Sequence, residues 1–316
     1  MATLTSRITL KGDEPAGPED YLSTSLGVIF PDDVTNQHGD AEHSLIYASP
    51  KLPRPLLIEL AEPEGETDRR LFSHYLWNAS LLLAELIERD SLEAESEAGT
   101  TEGLGEGLSF DTRGLSTVEL GAGTALPSIM AGLLGAKSVA VTDYPAPAVM
   151  KTLRDNVARN IKPEFAPLGS DSSSSLPVTT DITVEGHEWG VFDSSSPSSF
   201  PASHAHSADR LFVADCLWMP WQHANLRRSV NHFLKKTATA RAWVVAGFHT
   251  GRAKMAGFYD AEALREEGGV EIERIWERDC DGVERAWDVE REDDITVRKR
   301  WLVVAVLKRC EGMVFE

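Results

Sequence analysis

Positive charge is what this chain has least of: 31 lysines and arginines stand against 50 aspartates and glutamates, for a formal net charge of −19 at pH 7. Such a surface repels a phosphate backbone or an anionic membrane, so neither nucleic acid nor membrane is an expected partner; cationic or neutral partners are. Cysteine is sparse too. Cys216, Cys280 and Cys310 are widely spaced and odd in number, which excludes a disulfide framework and a cysteine metal set. The scattered histidines show no metal spacing, and no metal is expected. No apolar run reaches the roughly 18 residues of a membrane span. The opening Met-Ala-Thr-Leu-Thr-Ser-Arg has no apolar core of signal-peptide length. The expectation is a cytoplasmic monomer in a reducing compartment.

A second set of strands and helices is also missing, so the 316 residues read as one α/β domain, 71–316, behind an extension, 1–70, that packs on or caps the active-site side. Within the extension, residues 44–47 and 56–60 alternate as a short hairpin. Residues 71–89 carry Leu71, Phe72, Tyr75, Leu76, Ala79, Leu82, Leu83, Leu86 and Ile87 at helical spacing. Strands are predicted at 116–120, 138–142, 178–184, 211–214, 242–246, 270–277 and 302–307, with helices at 126–134, 146–161, 221–236 and 256–266. That alternation gives a doubly wound, mostly parallel seven-stranded sheet with ligands at the carboxyl ends of its strands. Residues 90–107, 169–176 and 194–207, rich in Ser, Gly or Glu, are expected to be disordered loops, and the acidic stretch 284–294 a solvated one.

The chemistry concentrates in Val118-Glu119-Leu120-Gly121-Ala122-Gly123-Thr124-Ala125-Leu126-Pro127. An apolar strand runs into a turn whose glycines admit a tight bend and a close ligand, and the next helix aims free N–H groups at the same place. Asp143 follows about 20 residues on, at the tip of the next strand, where a carboxylate can accept both hydroxyls of a ribose. Leu126 and Pro127 occupy the place where a dinucleotide fold needs a third small residue. Glu119 would repel a pyrophosphate and suits a cationic ligand. The pattern therefore favours S-adenosylmethionine over a dinucleotide.

With these residues in place the chain resembles the class I, seven-stranded S-adenosylmethionine-dependent methyltransferases. Within them it is similar to the lysine methyltransferase group and to fungal nicotinamide N-methyltransferase-like proteins. Leu76-Trp77-Asn78-Ala79 is similar to the family's Leu-Trp segment, whose tryptophan lies on the helix before the first strand and helps enclose the cofactor. Thr142-Asp143-Tyr144-Pro145 matches the end of the second strand, and His187-Glu188-Trp189-Gly190 the Trp-Gly step that borders the adenine. Ala214-Asp215-Cys216-Leu217-Trp218 matches the Asp-x-x-aromatic motif after the fourth strand.

The cofactor-binding candidates are Trp77, Glu119, Gly121, Ala122, Gly123, Asp143, Tyr144, Trp189 and Ala214. Asp215 and Trp218 are the catalytic ones. Gly121 and Gly123 would run under the methionine portion while Glu119 answers its ammonium. A neutral amine must attack, so a carboxylate such as Asp215 can orient it or take its proton, and an aromatic face favours a cation. Asp215 could equally cap the helix starting near Trp221. His249 is a further proton-acceptor candidate, with His38, His74 and Tyr144 behind it. The resemblance implies N-methylation of a protein lysine or N-terminus, or of a nicotinamide-like small molecule. Alternatives are an O- or N-methyltransferase of secondary metabolism and a catalytically silent binding module.

Overall fold

The computed structural model describes residues 3–11, 36–39, 43–62, 75–92, 103–168, 178–192, 196, 198–294 and 296–314. Leu71, Phe72, His74 and the serine-rich stretch 169–176 fall outside them. The N-terminal strands are β1 (Ile8–Leu10), β2 (Gln37–His38), β3 (Leu45–Tyr47), β4 (Leu56–Ile58) and β5 (Leu76–Trp77). Helix α1 (Asn78–Leu92) follows. Then come β6 (Ser116–Leu120), α2 (Leu126–Leu133), β7 (Ser138–Asp143), α3 (Pro147–Asn160) and β8 (Ile182–Gly186). The remainder comprises α4 (Phe200–Ser203), β9 (Arg210–Ala214), α5 (His223–Phe233), β10 (Arg241–Gly247), α6 (Arg252–Ala256), α7 (Ala261–Glu266), β11 (Val270–Asp279), β12 (Glu284–Ala286) and β13 (Trp301–Arg309).

Eight strands form the main sheet in the order β12-β11-β13-β10-β9-β6-β7-β8. Pairs from β10 to β8 are parallel, and β13 runs antiparallel to both β10 and β11. All seven predicted strands are there; β12 is an eighth, added as an edge by a tight hairpin with β11. Alternation along the strands divides the core. Phe212, Trp243, Val245, Val304 and Val306 face α1 and α2, while Leu211, Val213, Val244, Val303 and Ala305 face α5 and α7. Both faces are covered, which is why these strands read as continuous apolar runs. From β6 the chain winds outward through β7 and β8, then returns to β9 on the other side of β6. The β6/β9 crevice is thus the switch point where doubly wound sheets bind ligands.

The antiparallel pair β3–β4 realises the predicted hairpin, and β1 extends it to three strands. It docks through helix α3: the Asn156 side chain accepts from Glu59 N–H at 2.8 Å and donates to Glu59 C=O at 2.9 Å. Asn160 does the same to Leu57 at 3.2 and 2.8 Å. Arg7 pairs with the buried Glu88 of α1 at 2.8 Å.

Four sequence expectations need correction. The helix predicted from residue 71 starts at Asn78, because Leu76 and Trp77 are drawn into an antiparallel pair with His38 and Gln37; Trp77 therefore sits on a strand, not on the helix. The stretch 256–266 is broken by a 3-10 turn, Gly257–Tyr259, where Phe258 is buried. Within 194–207, residues 198–207 are ordered: α4 lays Phe200 on the ring of Phe233, centroids 5.4 Å apart. Parts of the supposed loops 90–107 and 284–294 are pinned together, with Leu104 N–H donating to Glu284 at 2.8 Å and Arg274 to Leu104 C=O at 2.7 Å.

Candidate active site

The glycine turn after β6 takes φ +66° at Gly121 and +55° at Gly123, the left-handed region that favours glycine. At Gly121 a Cβ would also fall 2.7 Å from Cys216 Sγ and 2.9 Å from the Trp189 ring, so no larger residue fits between them. A Cβ at Gly123 would meet nothing within 4 Å, which marks the open side of the turn. Asp143, at the end of β7, clamps that turn. Its Oδ2 accepts Gly123 N–H at 2.8 Å and its Oδ1 accepts Tyr144 N–H at 2.6 Å. Each oxygen keeps a further lone pair for a ligand hydroxyl. Burial pushes the Asp143 pKa up to about 6, against the pull of those two backbone donors.

Around the turn opens a cleft walled by Tyr75, Trp77, Trp189 and Trp218, with Ala122, Tyr144 and Ala214 on its lining. Its titratable lining residues are acidic, tyrosine, histidine or cysteine: Asp143, Glu188 and Asp215 contribute carboxylates, and none of the described lining residues is lysine or arginine. His187, also on the wall, is kept neutral; burial, helped by the nearby His232, lowers its pKa to about 4. Gly190 follows Trp189 at φ +77°, its N–H held by Ser229 Oγ at 2.9 Å.

Glu119 is placed differently from its neighbours. Val118 and Leu120 face α5, so alternation turns Glu119 to the other face, beneath α2. There it is wholly buried and accepts the Ser128 N–H in the first turn of α2 at 3.1 Å, while its Oε1 has no hydrogen-bond partner. Desolvation pushes its pKa up to about 8, with the charge of Asp143 adding to the shift. Glu119 does not line the cleft among the described residues; it lies behind the turn.

Asp215 follows β9 with φ +58°, a conformation costing a non-glycine residue about 1–3 kcal/mol. Its carboxylate does not cap the following helix. It accepts Gly247 N–H at 3.2 Å and faces His249 Nε2 at 3.0 and 2.9 Å. Burial pulls the His249 pKa down, but the charge and hydrogen bond of Asp215 outweigh it and the net shift is upward. Trp218 stands edge-on to Trp221 at 6.4 Å. His38 is turned away to Asn78 Oδ1, at 2.7 Å.

A family model described as lysine methyltransferase matches residues 64–258. The chain belongs to the lysine methyltransferase family. Among similar proteins is the protein N-terminal and lysine N-methyltransferase EFM7 of Gibberella zeae, 27% identical over 216 residues, covering 66% of this chain and 70% of that protein. The Schizosaccharomyces pombe protein of the same name is 28% identical over 212 residues, covering 66% and 68%. Among solved structures, ribosomal protein L11 methylase from Lactobacillus delbrueckii subsp. bulgaricus is 14% identical, with a TM-score of 0.38, over 74% of this chain and 78% of that one.

This lysine methyltransferase family member is an enzyme whose cofactor is S-adenosylmethionine, and the cleft fits that group. Three lining carboxylates without a lysine or arginine suit a cationic ligand that carries no phosphate. Behind the turn, the buried Glu119 Oε1 is left without a hydrogen-bond partner. When bound, the cofactor supplies a methyl carbon activated by a sulfonium. His187, Glu188, Cys216 and Tyr75 also line the cleft without being among the sequence candidates; the first three lie inside the motifs quoted for Trp189 and Asp215, which was the available signal. Asn36, whose Nδ2 lies 2.9 Å from His249 Nδ1, had no local signal.

Proposed function

We propose that the chain transfers a methyl group to a nitrogen of a protein, a lysine side chain or an N-terminal amine. The observation that carries this reading is the acidic and aromatic cleft at the switch point, which has no lysine or arginine on its described lining. Such a wall attracts an ammonium, and aromatic faces stabilise it further. Both relatives described above are named for protein N-terminal and lysine methylation, which supports the same acceptor.

In this reading Gly121, Ala122 and Gly123 pass under the cofactor's methionine portion. Asp143 takes the ribose hydroxyls. Tyr144, Trp189 and Ala214 border the adenosine, and Trp77 roofs it. Asp215 accepts a hydrogen bond from the acceptor amine and so aims its lone pair in line with the methyl carbon; positioning of this kind supplies much of the rate. Trp218 offers its face to the cationic product. Glu119 acts through space, by offsetting cofactor charge from behind the turn. Residues of the extension cap the acceptor side, a reading supported by the contact of Asn36 with His249. The enzyme works as a cytoplasmic monomer; three buried free cysteines suit a reducing compartment.

The test is to incubate the purified chain with methyl-labelled cofactor and a cell extract, then separate protein from small molecules. Label in a protein band is expected. Label confined to a nicotinamide-like or other metabolite would overturn the protein acceptor, and cofactor binding without turnover would make the chain a silent binding module.

A further inference from the structure

One side of Asp215 is occupied by a chain of contacts that starts far outside the nucleotide-binding core. Asn36 leads into β2, and its C=O accepts the Asn78 N–H at 3.1 Å. The next residues, Gln37 and His38, pair with Trp77 and Leu76. This fixes the Asn36 side chain over His249, with Nδ2 at 2.9 Å from Nδ1. The imidazole rests on Trp77, ring centroids 4.6 Å apart, and its far nitrogen reaches both oxygens of Asp215 at 3.0 and 2.9 Å. With Asn36 Nδ2 as the donor, Nδ1 is the acceptor, and the neutral ring then carries its proton on Nε2, facing Asp215. A second observation is independent of that pairing. A Cβ on Gly247 would lie 2.6 Å from the His249 ring, so only glycine there lets the imidazole reach the carboxylate.

We propose that Asn36 and His249 are positioning residues for methyl transfer: Asn36 selects the Nε2–H form of His249, which holds the Asp215 carboxylate as an acceptor aimed into the cleft. The inference rests on the reading of Asp215 as the group that receives the acceptor amine. The carboxylate sits on a strained left-handed residue, and the His249 and Gly247 bonds tie it down. An incoming amine then finds its remaining lone pairs already oriented, with no reorganisation left to pay. Among the described residues, the charged groups that act on His249 are Asp215, from the end of β9, and Arg298, from the segment before β13; they pull in opposite directions. His38 is engaged by Asn78 instead.

Nitrogen-15 NMR of His249 in the full-length, ligand-free chain reads the device without any substrate. The wild type should show Nδ1 as an unprotonated acceptor and Nε2 as a donor at high pH. Asn36→Ala should mix the two forms. Asn36→Asp, whose carboxylate accepts from Nδ1, should favour the doubly protonated ring and raise its titration midpoint by about one unit. In the label-transfer assay with extract protein, Asn36→Ala and Gly247→Ala should slow the rate at saturating acceptor by about tenfold, with affinity for S-adenosylhomocysteine kept within about twofold. Asn36→Asp should shift the acid limb of the rate profile with the NMR midpoint. Unchanged His249 resonances in Asn36→Ala, or a rate loss matched by equal loss of S-adenosylhomocysteine affinity and of cooperative unfolding, would overturn the proposal. A wild type that labels no protein would instead sink the protein-acceptor reading, leaving the NMR result to decide the positioning.

Discussion

Asp143 Oδ2 accepts the Gly123 N–H at 2.8 Å, so one carboxylate both shapes the glycine turn and faces the ligand cleft. Replacing it removes a ligand partner and unpins the turn together. Asp143→Ala should weaken S-adenosylhomocysteine binding by at least about a hundredfold, the worth of two lost charge-assisted hydrogen bonds. Isothermal calorimetry checks this, and undiminished affinity would refute the assignment.

The two glycines of the turn should not be equally replaceable. Gly123→Ala meets open space and bears only the left-handed backbone penalty, about 1–2 kcal/mol. Gly121→Ala bears that penalty and also drives a methyl into Cys216 and the Trp189 ring, adding about 1–3 kcal/mol of overpacking. Urea unfolding of the two variants side by side measures the difference. Equal midpoints would mean that the packing of Trp189 on Gly121 is not what excludes a side chain.

Glu119 and Asp143 should set a pH dependence whose sign follows from their raised pKa values, about 8 and about 6. Both hold a proton more tightly folded than unfolded, where carboxyls titrate near about 4. Stability from this source is present in full below about pH 4 and is lost as pH climbs to about 8. A cationic cofactor favours the ionised forms, so its stabilising effect should grow over the same range. Calorimetric melting of wild type and Glu119→Gln between about pH 6 and about pH 8 tests it. The variant should lose less stability than the wild type across that window; parallel curves would rule Glu119 out as the source.

Glu277 is wholly buried between three guanidinium groups: Arg252 at 2.6 Å, Arg285 at 2.7 Å and Arg291 at 2.8 Å. Glu277→Ala leaves the buried Arg252 short of its main counter-charge and should cost about 3–5 kcal/mol. Asp293, 3.0 Å from Arg252, offers partial compensation. Chemical unfolding reads the loss, and a cost below about 1 kcal/mol would show that Asp293 alone suffices.

What the sequence disclosed and what it withheld divide along a physical line. The central strands were legible because burial on both faces leaves uninterrupted apolar runs, such as Leu211–Val213 and Trp243–Val245. The strand β12 was not, since Glu284, Arg285 and Ala286 show no such run and are held by pairing with β11. Trp77 falls inside the periodic stretch 71–89, and the resemblance puts its tryptophan on that helix; its partner Gln37 is remote in sequence, and non-local pairing overrides local period. Gly121 and Asp143 were legible since their spacing is itself the geometry. Glu119 shows the limit of that argument: adjacency to the turn says nothing of which face a strand residue takes. The meeting of Asn36, His249 and Asp215 is tertiary throughout and left no trace in any window of sequence.

The two asparagines of α3 have a consequence for self-association. Strand β4 lies at the margin of its small sheet, and a bare margin invites another chain to add itself there. Asn156 and Asn160 fill the backbone positions of Glu59 and Leu57 with side-chain amides, so a helix stands where an intruding strand would go. Asn156 also donates to Thr124 C=O at 3.3 Å, in the glycine turn itself. The guard against aggregation and the floor of the cofactor crevice therefore share one side chain, and damage to either would be felt by both.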